Sequence, residues 1–109
     1  MGVYRLYTGS DGESHIDEYD KAELANIKIK GTMTFSVQER EPSHFMDYHP
    51  AASRRWHIHV AGRMIIGLSD GTSHTFNPGD VRLVEDTTGK GHTTTLPDGL
   101  TIAMMIAED

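Results

Sequence analysis

The chain has 109 residues, a formal net charge of −6, only 10 lysines and arginines, and no cysteine. This length suits one domain over residues 1–109, the few basic residues argue against nucleic acid as a partner, and the lack of cysteine excludes disulfide and thiolate chemistry. No apolar run approaches the roughly 20 residues of a membrane helix, and the first residues lack the apolar segment of a signal peptide. We therefore expect a cytoplasmic protein without a membrane partner.

Short strands separated by turn residues are predicted along most of the chain. The first covers 3–8, and the charged segment 15–25 is interpreted as a short helix or an irregular arm. The later strands are predicted over 27–37 with a bend at Gly31, 45–49, 54–61, 63–68, 72–76, 81–84, 92–95 and 100–107. This order of elements, with almost no helical pattern, is typical of an all-β sandwich or barrel.

A glycine-rich segment over residues 76–95 carries the most specific pattern. A Pro-Gly-Asp turn at 78–80 precedes a strand, and a loop with Gly89 and Gly91 leads to His92. This order resembles the second motif of the cupin superfamily, in which such a turn leads to a histidine that commonly ligates a metal. The resemblance implies an all-β fold, a single-domain cupin jelly-roll β-barrel of the RmlC-like type.

The first cupin motif corresponds to about residues 42–62. In the family it contains a His-x-His pair, then Glu or Gln, and a Gly at the next turn. Here residues 47–49 read Asp-Tyr-His, Arg55 stands where the acid would be, and Gly62 closes the strand. Two of the ligands usual in this motif are therefore replaced.

The strand predicted over 54–61 has two different faces, because side chains alternate along a strand. One face carries Trp56, Ile58 and Val60, and the other carries Arg55, His57 and His59. If the apolar face fills the core, the histidines are exposed. If the strand follows the cupin register, the histidines face a cavity, and another sheet covers the apolar face. Because cupins commonly provide that cover by dimerising, the second alternative also predicts a homodimer.

In the cupin register four imidazoles share one cavity, and these are the candidate metal ligands His49, His57, His59 and His92. Imidazole suits Zn, Cu, Fe or Ni, and a carboxylate such as Asp47 would favour Fe or Mn. The expected cofactor is therefore one divalent transition metal from the set Fe, Mn, Ni, Cu and Zn.

Two residues are candidates for catalysis or substrate binding, Asp47 and Arg55. An arginine inside the cavity fits a carboxylate or phosphate and suggests an acidic small-molecule substrate. Arg55 in an exposed ion pair with Glu39 or Glu41 is the alternative.

Two functions are consistent with these residues. The first is a metal-dependent enzyme of the dioxygenase, isomerase or lyase type that acts on a small, acidic organic molecule. The second is a metal-free cupin that binds a small ligand or acts as an accessory protein without catalysis. The replaced ligands favour the second function, and the additional histidines favour the first. Of the two, we expect the metal-dependent enzyme.

Overall fold

The structure, a computed structural model, describes residues 2–28, 30–40, 45–98 and 101–108. In these ranges it contains one short helix, α1 (Lys21–Leu24), and ten strands. The strands are β1 (Val3–Thr8), β2 (Ser14–Glu18), β3 (Met33–Arg40), β4 (Phe45–His49), β5 (Arg55–Ala61), β6 (Met64–Gly67), β7 (Ser73–Phe76), β8 (Val81–Val84), β9 (His92–Thr95) and β10 (Thr101–Glu108). No helix in the described ranges is long and apolar enough to cross a bilayer.

The strands form two sheets. One has six strands in the order β2-β1-β8-β5-β10-β3, and the other has four in the order β4-β9-β6-β7. Neighbouring strands run antiparallel except β1 and β8, which are parallel. Strands adjacent in space are often distant in sequence, as expected for a jelly roll in which the chain crosses between sheets.

The core lies between the two sheets. Leu6 and Val84 come from the six-stranded sheet, while Met64, Ile66 and Phe76 come from the four-stranded sheet, and all five are buried. Since side chains alternate along each strand, the inner positions pack here and the outer positions remain at the surface. The core occupies one end of the space between the sheets and leaves room for a cavity beside it.

Most strand predictions are confirmed, with two differences. The segment 15–25 contains β2, which pairs with β1, followed by α1. Asp20 and Glu23 form a capping box that starts this helix after the strand ends. In the segment 27–37 the strand begins only at Met33. Positions 41–44, which include His44 and part of the first motif, and Leu100 at the start of the predicted last strand lie outside the described residues.

Two turns bring the later strands to the site. The Asp80 carboxylate accepts hydrogen bonds from the backbone N–H groups of Asn77 at 2.8 Å and Gly2 at 2.9 Å, which fixes the Pro-Gly-Asp turn before β8. Gly91 has a φ of 81°, and a Cβ at this position would collide with the backbone carbonyl of His49. A glycine is therefore required where the loop before β9 passes close to β4.

Candidate functional site

A cavity of about 260 Å³ lies between the two sheets. Its wall includes residues of β3, β5 and β8 from one sheet and of β4, β6 and β9 from the other. The volume lies just below the roughly 300–1,000 Å³ of drug-sized sites. It suits a small molecule.

The polar face of β5 points into this cavity, which Arg55 and His57 line. His57 is 6% exposed and His59 is 2% exposed, whereas Val60 on the other face is 44% exposed. The cupin register therefore describes β5, and the alternative with exposed histidines does not. Trp56 is nonetheless largely buried, since it shares an outer groove with residues in and after α1.

Burial keeps the two imidazoles of β5 neutral. Desolvation, followed by the positive charge of Arg82, lowers the pKa of His57 far below its usual 6.5. The same two causes, in the same order, lower the pKa of His59 to about 3. Neither ring is cationic at neutral pH, so β5 contributes positive charge to the cavity only through Arg55.

A buried carboxylate orients His92, which lines the cavity. Its Nδ1 lies 2.5 Å from Oδ2 of Asp86, and the same oxygen accepts a 2.7 Å hydrogen bond from Ser14 Oγ. Asp86 is 0% exposed. In the neutral ring, this contact places the proton on Nδ1 and leaves the lone pair on Nε2. His92 is thus arranged as a general base.

His49 lies beside His92 across β4 and β9, with ring centroids 5.0 Å apart. Nδ1 of His49 lies 2.8 Å from the carbonyl oxygen of Asp47. The Nδ1 atom of His49 is thus held by the backbone, as that of His92 is held by Asp86, and Nε2 is the other ring nitrogen in both residues. The two neighbouring imidazoles are both oriented through Nδ1, by a backbone carbonyl for His49 and by a carboxylate for His92.

Three arginines from three strands line the same cavity, Arg40, Arg55 and Arg82. Arg82 is 3% exposed and donates from Nη2 to the thioether of Met64 at 3.4 Å, and its Nε and Nη1 have no hydrogen-bond partner among the described residues. Arg40 donates from Nη1 to the thioether of Met46 at 3.3 Å, and within the same residues its Nε has no such partner either. Because a thioether is a weak acceptor, much of the hydrogen-bonding capacity of these guanidinium groups is unused.

No acidic side chain in the described ranges forms an ion pair with these three arginines. The arginine ion pairs of these ranges involve Arg5, Arg54 and Arg63, all with largely solvated side chains. Arg55 donates its Nε to the carbonyl oxygen of Ser53 at 3.1 Å. The sequence suggested Glu39 or Glu41 as an ion-pair partner of Arg55. Glu39 is exposed on the other face of β3, and Glu41 lies outside the described residues.

Arg82 is a buried cation. Desolvation lowers its pKa to about 10; Asp86 opposes this shift, and the charges of Arg55 and Arg40 add to it. At neutral pH the guanidinium is still protonated. A buried charge without a partner costs several kcal/mol. The cavity is therefore a cationic site in a chain of net charge −6.

Two of the predicted site residues lie apart from the cavity wall. His59 stacks on Phe76, with ring centroids 5.3 Å apart, and neither ring nitrogen has a hydrogen-bond partner among the described residues. The exposed Asp47 carboxylate accepts a hydrogen bond from its neighbour, the backbone N–H of Tyr48, at 2.8 Å. Only His49, His57, His92 and Arg55 of the predicted set line the cavity.

Sequence reasoning missed Arg40, Arg82 and Asp86. Arg82 shares an inner face with Val84, and the alternation in β8 would have revealed it once Val84 was assigned to the core. Arg40 is the last residue of β3, and the alternation of apolar and polar residues in that strand does not identify its inner face. Asp86 follows β8 in a loop, and only the three-dimensional structure places its carboxylate against His92.

Comparison with known proteins gives matches only at the level of structure. No family model and no curated protein sequence matches the chain. A crystal structure of the DMSP lyases RdDddP and RnDddQII matches with a TM-score of 0.57 and 15% identity over 73% of this chain and 40% of that chain. The DMSP lyase DddQ from Ruegeria pomeroyi DSS-3 matches with a TM-score of 0.56 and 14% identity, over 71% of this chain and 38% of that one.

A cupin 2 conserved barrel domain protein from Salinispora arenicola CNS-205 matches with a TM-score of 0.56 and 20% identity, over 74% of this chain and 66% of that one. The chain has the cupin jelly-roll fold. The resemblance inferred from residues 42–95 is thereby confirmed for the fold. The chain spans about two fifths of the length of the matched DMSP lyase structures.

Cupins often bind metals, which raises the question whether the side chains of this chain can hold a transition metal. Such an ion takes three or four protein ligands. His49 and His92 form a neighbouring pair, but no group of three or more His, Asp or Glu side chains in the described ranges is arranged to hold a metal. The side chains of the four-histidine set are thus not assembled as a metal centre.

Proposed function

We propose that the cavity binds a small organic anion and that His92 exchanges a proton with it. The observation that carries this proposal is the group of three cavity arginines, which have no carboxylate partner in the described ranges. An anion in the cavity would bring a negative charge to the buried guanidinium of Arg82, which belongs to the wall. The planar guanidinium fits carboxylates and phosphates better than other ligand classes.

The Asp86–His92 pair supplies the proposed chemistry. Nε2 of His92 takes a proton from the bound anion, and Asp86 stabilises the imidazolium that forms. Positive charge in the wall, from Arg55 and Arg82, stabilises the negative charge that develops on the ligand. Proton abstraction next to a carboxylate can begin an isomerase or lyase reaction, and this is the activity class we propose.

A metal-dependent enzyme is the second candidate. The observation that favours it is the His49–His92 pair, because an acceptor on Nδ1 commonly orients a histidine that ligates through Nε2. His57 lines the same cavity and is neutral, as a ligand must be. A divalent transition metal bound there would act as a Lewis acid toward the anion. The first candidate has the stronger support because its three arginines already surround the cavity.

Calorimetry with small carboxylates and NMR in D₂O test the first candidate together. We expect at least one carboxylate to bind the wild-type protein and to exchange a carbon-bound proton with solvent. The Asp86→Asn substitution keeps the arginines and removes a negative charge, so the anion should bind at least as tightly as in wild type, while exchange falls by roughly 10²–10⁴, the usual contribution of a general base.

His15→Gln is the matched control, because His15 contacts Asp11 at the surface and lies outside the cavity wall. It should leave both affinity and exchange unchanged. If no small carboxylate or phosphate binds at millimolar concentration, the proposal is wrong. If an anion binds and Asp86→Asn exchanges its proton as fast as wild type, the base assignment is wrong and the protein is a binding cupin.

A further inference from the structure

The three cavity arginines are spread along the strand direction. Through β10, Arg55 lies in register with Thr34 near the start of β3, and Arg40 is the last residue of β3. Six residues separate these rows, about 20 Å at roughly 3.3 Å per residue. Arg82 pairs with His57, on a row between them. Arg40 and Arg55 therefore reach one cavity from opposite ends.

Among the residues that the structure describes, the charges around the cavity leave an excess of two positive charges. The wall carries three guanidinium groups, and Asp86 is the carboxylate whose charge supports Arg82. His57 adds no charge, because burial keeps its ring neutral. Since Asp86 supports Arg82, a monoanion would leave one of the partly exposed arginines Arg40 and Arg55 without a counter-charge, whereas a dianion matches the excess.

The placement of the arginines also bears on how the two negative charges are arranged. A compact ion such as sulfate can contact one or two guanidinium groups at one point. Because the strand rows of Arg40 and Arg55 are about 20 Å apart, we expect such an ion to contact only one of these two arginines. A molecule with an anionic group at each end can do so, and the cavity of about 260 Å³ has room for a short connecting chain.

We infer that the ligand is a small dianion with two separated anionic groups, of which a short-chain dicarboxylate is the simplest example. This inference rests on the proposed anion binding and narrows its substrate class. One end group lies between Arg55 and Arg82, and the other lies at Arg40. The central position of Arg82 lets it contact either group.

Calorimetric titrations with matched ions test the separation and the number of charges. Succinate and glutarate carry two separated charges, succinamate has nearly the same size with one charge, and sulfate has two charges on one centre. We expect succinate or glutarate to bind at least tenfold more tightly than both succinamate and sulfate. Arg40→Met should reduce the affinity for succinate to about that for succinamate and leave succinamate binding almost unchanged. Arg55→Met should weaken the binding of both ions.

Arg63→Met is the control, since Arg63 pairs with Asp98 at the surface. Far-ultraviolet circular dichroism shows whether each variant keeps its sheets. If either Arg40→Met or Arg55→Met does not fold, the other variant still tests the inference. Equal binding of succinate and succinamate overturns the two-charge inference, and equal binding of sulfate and succinate overturns the separation. Failure of every anion, succinamate included, overturns the proposed function itself.

Discussion

His57 and Arg82 face each other in register on β5 and β8, and both side chains line the cavity. The imidazole gives up its charge on burial, because its pKa is lowered far below 6.5, while the guanidinium keeps its charge with a pKa lowered only to about 10. The fold therefore contains a buried cation beside a neutral ring. This pair predicts how the protein responds to mutation and to pH.

The Arg82→Met substitution should stabilise the ligand-free protein. Methionine fills a similar volume, and the lowered pKa of Arg82 shows that burial disfavours the charged side chain even with Asp86 nearby. One kcal/mol shifts the melting temperature of a domain of this size by roughly 4–8 °C. We expect a higher melting temperature by differential scanning calorimetry, together with loss of anion binding.

Arg63→Met provides the comparison, because it removes an exposed ion pair with Asp98 that solvent screens. Its melting temperature should stay close to that of wild type or fall slightly. A lower melting temperature for Arg82→Met than for Arg63→Met, measured without ligand, would show that Arg82 has a stabilising partner and would contradict the interpretation of an uncompensated charge.

Acid should destabilise the protein through His57 and His59. Both folded pKa values are lowered, so the unfolded chain, with imidazole pKa values near 6.5, binds more protons below that pH. Stability is therefore complete above pH 6.5 and declines as the pH falls. From pH 7.5 to 5.5 each ring should cost about 1.4 kcal/mol, and both together ~2.7 kcal/mol.

Urea unfolding at pH 7.5, 6.5 and 5.5 measures this decline. His59→Phe removes one titrating ring and keeps the stack on Phe76, so the decline should be about half as large. His15→Gln should leave it as in wild type. An equal decline for His59→Phe and wild type would show that His59 is not neutral in the folded protein.

The fold was largely predictable because short strands and turns are local features. The predicted strands 3–8, 45–49, 81–84 and 92–95 agree with β1, β4, β8 and β9. The segment 15–25 was harder, because β2 is short and polar and is stabilised by its pairing with β1 rather than by its own composition. The parallel pairing of β1 with β8 joins distant segments and has no local signal.

The site was predictable only where the motif or the alternation constrained it. Alternation in β5 grouped Arg55 with His57, and the motif singled out His92, and all three line the cavity. His59 is on the same face of β5 as His57, but it does not line the cavity and packs against Phe76 instead. How far along a strand the cavity extends depends on the other sheet, which the sequence of β5 does not contain.

The two candidate functions differ in their response to a chelator. If the arginines alone bind the anion, treatment with EDTA should leave succinate affinity within about twofold, because no guanidinium contact depends on an ion. If a metal is present, elemental analysis of untagged protein should find it in stoichiometric amount. In that case His49→Ala and His92→Ala should each abolish its uptake, and His57→Ala should weaken it.

His59→Ala separates the metal alternatives further. A four-histidine centre requires His59, whereas the observed stack on Phe76 predicts that its loss leaves metal uptake unchanged. His15→Ala serves as the surface control. Uptake that stays equal to this control in the His49, His57 and His92 variants would rule out a metal in the cavity.

The outer face of the six-stranded sheet presents two apolar rows across four strands. The first row contains Phe35, Ile106, Trp56 and Leu83, and the second contains Val37, Met104, Ile58 and Val81. Phe35 and Val37 are each 59% exposed, whereas Trp56 and Leu83 at the other end of the first row are buried. Contiguous apolar surface of this kind marks an interface, and we propose that two copies pair through this face as a homodimer.

Sedimentation should give a mass of twice 12.1 kDa for wild type at micromolar concentration. Phe35→Asp should shift the protein toward the monomer, because a charge would be buried in the interface. Phe45→Asp is a closely matched control, since Phe45 is also 59% exposed but belongs to the four-stranded sheet. A monomeric wild type, or equal effects of the two substitutions, would contradict dimerisation through this face.

The thioether contacts of the cavity arginines make the site sensitive to oxidation. Met46 and Met64 accept hydrogen bonds from Arg40 and Arg82 only weakly. Peroxide converts a thioether into a sulfoxide, whose oxygen is a polar acceptor. A sulfoxide at either position would occupy guanidinium N–H groups from within the protein and compete with the anion. We expect anion affinity to fall as mass spectrometry shows oxidation of these methionines, and methionine sulfoxide reductase to restore it.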